Sequence, residues 1–90
     1  MSRIHFCRVC GLYQEEPPWG ITGHDATFMI CDCCGAEFGL DDRSKEQVRE
    51  YRQGWIQNGC EWFWRKSKPE NWDLWQQLSN IIGDDEIVLL

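Results

Sequence analysis

Cys7-Arg8-Val9-Cys10-Gly11 and Cys31-Asp32-Cys33-Cys34-Gly35 decide how this chain folds. Each is a C-x-x-C-G unit. Together they read C-x2-C-x20-C-x2-C, at the upper edge of the spacing used by four-thiolate metal sites. Two residues between cysteines make a tight turn that aims both sulfurs at one ion about 2.3 Å away. A glycine directly after the second cysteine permits a positive φ and lets backbone amides approach the sulfurs. The doubled unit therefore predicts one metal centre with Cys7, Cys10, Cys31 and Cys34 as ligands.

The expected occupant is one structural Zn2+. Paired C-x-x-C-G units also serve rubredoxin-like iron centres, which makes iron the competing metal. Cys33 could replace Cys34 in a C-x-C arrangement, although Gly35 favours Cys34. Cys60, far from both units and beside aromatics, reads as a small buried hydrophobe. His5 and His24 stand near the site in sequence but read as surface or supporting residues rather than ligands. Disulfides are the rival use of cysteine. They suit secreted chains, and the N-terminus lacks the 7–15-residue apolar core of a signal peptide. The expected compartment is the cytoplasm, where thiols stay reduced.

Composition narrows the function classes. The chain has 90 residues, nine Lys+Arg against fifteen Asp+Glu, and a net charge of −6. Phosphate binding needs a basic surface, so nucleic acid is an unfavourable partner for the whole chain. No apolar run is long enough to span a membrane. A domain of this size buries only about 60–65% of its unfolded surface and often needs a staple, which the cysteines supply.

Outward from the cysteines, residues 1–43 read as a zinc ribbon, with short antiparallel strands around each knuckle. Ile4 and Phe6 alternate into the first, and Leu12 and Tyr13 lead out. Thr27-Phe28-Met29-Ile30 reads as a strand into the second, and Ala36 to Leu40 alternates away from it. A loop with two prolines and two glycines separates them. At Asp41-Asp42-Arg43-Ser44 the period changes. Ser44 and Gln47 form a capping box, and Val48, Tyr51 and Trp55 share a helical face, so a helix is expected over 44–58 with Asn58-Gly59 as its stop. A second helix is expected to start at Glu70-Asn71-Trp72-Asp73. Its stripe is Leu74, Trp75, Leu78, Ile81 and Ile82, and Gly83 is its end. Ile87-Val88-Leu89-Leu90 reads as a final strand or apolar plug. The whole is a single α+β domain, 1–90: a ribbon part, 1–43, on which two to three C-terminal helices (44–90) pack.

Ile30-Cys31-Asp32-Cys33-Cys34-Gly35-Ala36-Glu37-Phe38-Gly39 resembles the bacterial cysteine-rich CPCC family, short proteins that begin with a C-x-x-C-G unit. Pro69-Glu70-Asn71-Trp72 matches a later segment of that family. Asp32 departs from the family's Pro, which touches turn rigidity but not ligation. The resemblance implies metal binding, implies no enzyme activity, and places the chain among small accessory proteins, some of which are immunity proteins against toxins.

The functional expectation is a non-enzymatic acidic zinc-binding protein that binds a protein partner, most concretely an immunity protein neutralising a basic toxin domain. Trp19, beside Glu15, Glu16 and Asp25, is the candidate anchor for that partner, since Trp is a favoured hot-spot residue. Trp55, Trp62 and Trp75 read as core. The alternatives are a nucleic-acid-binding zinc ribbon, with Arg65, Lys66 and Lys68 as its small basic patch, and an iron electron-transfer protein.

Overall fold

The computed structural model describes residues 4–81. The knuckle half comes first. Its two turns repeat with an offset of 24 residues, bond for bond. Cys7 N–H donates to Leu12 O and Gly11 N–H to Cys7 O; likewise Cys31 N–H donates to Ala36 O and Gly35 N–H to Cys31 O, all at 2.9 Å. Gly11 (φ 84°) and Gly35 (φ 80°) take the left-handed conformation that closes each turn.

The expected strands do not form among the described residues. Each knuckle carries one antiparallel bridge, Phe6 with Tyr13 and Ile30 with Glu37. The physical reason lies in the residues that flank the bridges. Pro17 and Pro18 follow the first hairpin and cannot donate to a ladder. Phe28 (φ 61°) and Gly39 (φ 100°) bend both sides of the second away from the extended region. The intervening loop closes on itself instead, through Asp25 N–H to Trp19 O and Thr27 N–H to Pro18 O.

The helical half begins at α1, Lys45–Gln57. Ser44 caps it by accepting from Gln47 N–H at 3.1 Å, and the Gln47 side chain returns to accept from Arg43 N–H at 2.9 Å. Its end is a Schellman motif: Gly59 N–H donates to Ile56 O and Cys60 N–H to Trp55 O. The buried face of α1 is Arg52 and Trp55, with Val48 and Tyr51 packed beside them. A three-residue 3-10 turn, Arg65–Ser67, follows.

The second helix is shorter than its stripe suggests. α2 runs Leu74–Leu78, and Asp73 is its N-cap, accepting from Trp75 N–H and Gln76 N–H. Asp73 is a better N-cap than the residues before it, so Pro69 to Trp72 remain a turn. Trp75 is not core: the face that packs inward is Leu74, Gln77, Leu78 and Ile81, and Trp75 lies off it, 57% exposed. Ile82, Gly83 and the 87–90 tail lie outside the described residues.

Both halves share one apolar core. The cysteines, Val9, Ala36 and Phe38 of the knuckles meet Trp55, Trp62 and Leu78. Trp72 stands edge-on to Trp55 and Trp62, with ring centroids 6.5 and 5.6 Å away. Such edge-to-face pairs favour packing beyond the area they bury.

Candidate metal centre

The two turns face each other and bring Cys7, Cys10, Cys31 and Cys34 together. Their four Sγ atoms lie within 4.8 Å of one another, and all four residues are buried. Across the pair of knuckles, Cys7 Sγ to Cys34 Sγ is 3.7 Å and Cys10 Sγ to Cys31 Sγ is 3.6 Å. A regular tetrahedron of sulfurs about 2.3 Å from a central ion has edges of about 3.8 Å. A disulfide would need about 2.05 Å. The arrangement thus fits a metal ion and does not fit a disulfide pair. Four cysteines this close could hold one ion. Zinc and iron are both compatible with the sulfur set.

The buried thiols also perturb one another. Hydrogen bonds from Cys10, Cys34 and Cys7 push the Cys31 thiol far down from its ordinary value. Burial, then the hydrogen bond with Cys31, pushes Cys10 up. Metal ligation needs deprotonated thiols, so a cation binding here would release their protons.

The helical half supplies the surroundings of the knuckles. Arg52, 2% exposed, donates from Nε to Val9 O at 2.7 Å and from a terminal nitrogen to Arg8 O at 2.8 Å. Gln77 Nε2 donates to Cys10 O at 3.0 Å and contacts Cys33 Sγ at 3.4 Å. Asn80 Nδ2 donates to Gly11 O at 3.0 Å. On the second knuckle, Tyr51 Oη donates to Cys34 O at 3.1 Å. Burial first, then the nearby cysteines and Asp41, pushes the Tyr51 phenol up to about 12. Peptide carbonyls turned away from a sheet must find donors, and these side chains are the donors.

None of these four residues carries a site motif in the sequence. Arg52 and Gln77 did leave a trace. Arg52 stands between Val48 and Trp55 at the spacing of a buried face, and Gln77 does the same between Leu74 and Ile81.

The other sequence candidates fall elsewhere. Cys33 is fully buried and stands outside the four-sulfur group, held by Gln77. Cys60 is half-buried, with its thiol pushed up by burial. His5 Nδ1 donates to Gln14 O at 2.9 Å and its ring stacks on Tyr13; His24 is exposed. Glu15, Glu16 and Asp25 are exposed, but Trp19 is half-buried. Its indole N–H donates to buried Asp42 at 2.9 Å, and Arg8 lies over its ring at 4.1 Å. The structure thus ties the Trp19 ring to Asp42 and Arg8, while its backbone carbonyl accepts from Asp25 N–H.

No helix among the described residues is long and apolar enough to cross a membrane. Comparison of the chain with protein-family models, with curated proteins and with solved structures found no match.

Proposed function

We propose that Cys7, Cys10, Cys31 and Cys34 hold one structural Zn2+ and that the chain is a non-enzymatic binding protein, in its most concrete form an immunity protein that neutralises a basic toxin. The observation that carries the metal reading is the buried four-sulfur cluster with its 3.6 and 3.7 Å cross-knuckle contacts. Four thiolates close the coordination sphere and leave no position for a water or a substrate, which favours a structural over a catalytic ion. The partner reading rests on the chain's acidity, which suits a basic partner and repels nucleic acid, and on the CPCC resemblance.

Native mass spectrometry with elemental analysis tests the metal: one zinc per chain and a colourless protein are expected. A red protein with iron would replace zinc by a rubredoxin-like centre. For the partner, the chain is co-expressed with a basic toxin encoded next to its gene. Restored growth is expected, and unchanged killing would refute the immunity reading.

A further inference from the structure

We propose that the apolar edge formed by Phe28, Met29, Ile30 and Leu40 is the surface on which a basic protein partner docks. The inference rests on the binding-protein reading above and gives it a place on the molecule.

These four side chains are 62%, 62%, 46% and 54% exposed. They are neighbours. The Phe28 ring lies over Gly39, where an added Cβ would come 2.8 Å from it, and Leu40 follows Gly39. Phe38 N–H donates to Met29 O, and Ile30 is bridged to Glu37. The matching residues of the first knuckle, His5 and Phe6, are half-buried. The chain entering the turn is therefore half-buried at the first knuckle and exposed at the second. Phe28 also holds φ at 61°, an outlier for an aromatic residue. Such strain persists where the surrounding structure over-determines it, and it clusters at functional surfaces.

Charge selects the occupant. Between Val9 and Asp42 the chain carries Asp and Glu but no Lys or Arg. Glu37 sits opposite Ile30, Asp41 accepts from Glu37 N–H at 2.9 Å, and Asp25 precedes Ala26, which also packs on Gly39. A second copy would set like charges against each other across the contact. Nucleic acid and anionic lipid carry the same sign. A protein surface with Lys or Arg around an apolar pocket matches both features.

The test uses the metal-loaded, 15N-labelled chain and a synthetic amphipathic peptide with Lys on one face and Leu on the other. Chemical-shift changes confined to residues 25–30 and 37–41 are expected. Affinity should fall at least tenfold for Phe28→Asn, because Asn tolerates a positive φ and removes only the ring. The melting midpoint of that variant should hold. A Glu/Leu peptide should not bind, and polylysine should bind at least tenfold more weakly. Shifts centred elsewhere, unchanged affinity in Phe28→Asn, equal binding of polylysine, or self-association through this edge would overturn the proposal. The outcomes keep the edge and the reading it rests on apart. Tight binding with shifts centred elsewhere overturns the edge and leaves the binding-protein reading standing, while unrestored growth beside the toxin refutes the immunity reading and leaves the shift map to decide the edge.

Discussion

The two knuckles have the same backbone and different surroundings. Cys7 to Tyr13 and Cys31 to Glu37 repeat each hydrogen bond, each positive-φ glycine and each single bridge. Around the first knuckle, Arg52 of α1, Gln77 of α2 and Asn80 of the turn after it reach in and take up the carbonyls of Arg8, Val9, Cys10 and Gly11. Around the second, Tyr51 reaches Cys34 O, Phe63 N–H and Trp64 N–H donate to Cys33 O and Asp32 O, and Asp32 stays exposed with a Ser67 hydroxyl donating to its side chain. A C-x-x-C-G unit specifies its own turn. The rest of the chain covers both turns with different groups and, of the two segments entering them, leaves only the second exposed.

Metal removal abolishes the basis of the comparison and carries the largest effect. Both turns point their sulfurs at one centre, so chelation or Cys34→Ser should unfold the knuckle half whichever turn is hit. Structural zinc contributes on the order of 10–16 kcal/mol of apparent binding energy. Far-ultraviolet circular dichroism and amide exchange check this, and an unchanged spectrum after chelation would contradict it.

The paired glycines distinguish the two surroundings. A Cβ on Gly11 would collide with the Gln77 carbonyl, which is backbone fixed in α2; a Cβ on Gly35 would meet the Phe63 ring at 2.9 Å, and that side chain is exposed and free to yield. Both substitutions carry a left-handed penalty of about 1–2 kcal/mol. Gly11→Ala adds the backbone clash and should cost about 4 kcal/mol in total, against about 2 for Gly35→Ala, by urea denaturation. Equal costs would mean the knuckles are covered alike.

Arg52→Ala strips a charged donor from the buried Val9 carbonyl and the part-buried Arg8 carbonyl and should cost about 3 kcal/mol. Arg52→Lys should not restore it, because a single ammonium cannot reproduce the forked geometry. The second knuckle's counterpart is milder: Tyr51→Phe removes one neutral hydrogen bond and should cost about 1 kcal/mol. The phenol is raised to about 12, so the folded state holds its proton more tightly than the unfolded chain does. The stability it adds is present below pH ~10 and lost as pH rises through about 12. Tyr51→Phe should lack that alkaline loss, which paired melting curves at pH 9 and pH 12 would reveal.

Much of this was legible in the sequence, and the gaps have physical causes. The four cysteines could be paired because ligand spacing is local and each glycine confirms its turn. The start and stop of α1 were legible for the same reason, from Ser44, Gln47 and Gly59. Trp55 and Trp62 are buried as their positions suggest. The ribbon's strands were misread because alternation over four residues says nothing of how far a ladder propagates, and Phe28 turns away after a single bridge. Trp75 was misread because polar Gln77, not Trp75, completes the buried face with Leu74, Leu78 and Ile81. Arg52 and Gln77 escaped because their partners are backbone carbonyls of a distant segment, which no side-chain pattern records.

X-ray absorption at the metal edge of the purified chain tests the paired-knuckle centre. Four sulfur scatterers at about 2.3 Å, with no nitrogen or oxygen in the first shell, are expected for a zinc held by Cys7, Cys10, Cys31 and Cys34. Fewer than four sulfurs, or a nitrogen or oxygen ligand beside them, would contradict a closed tetrathiolate site.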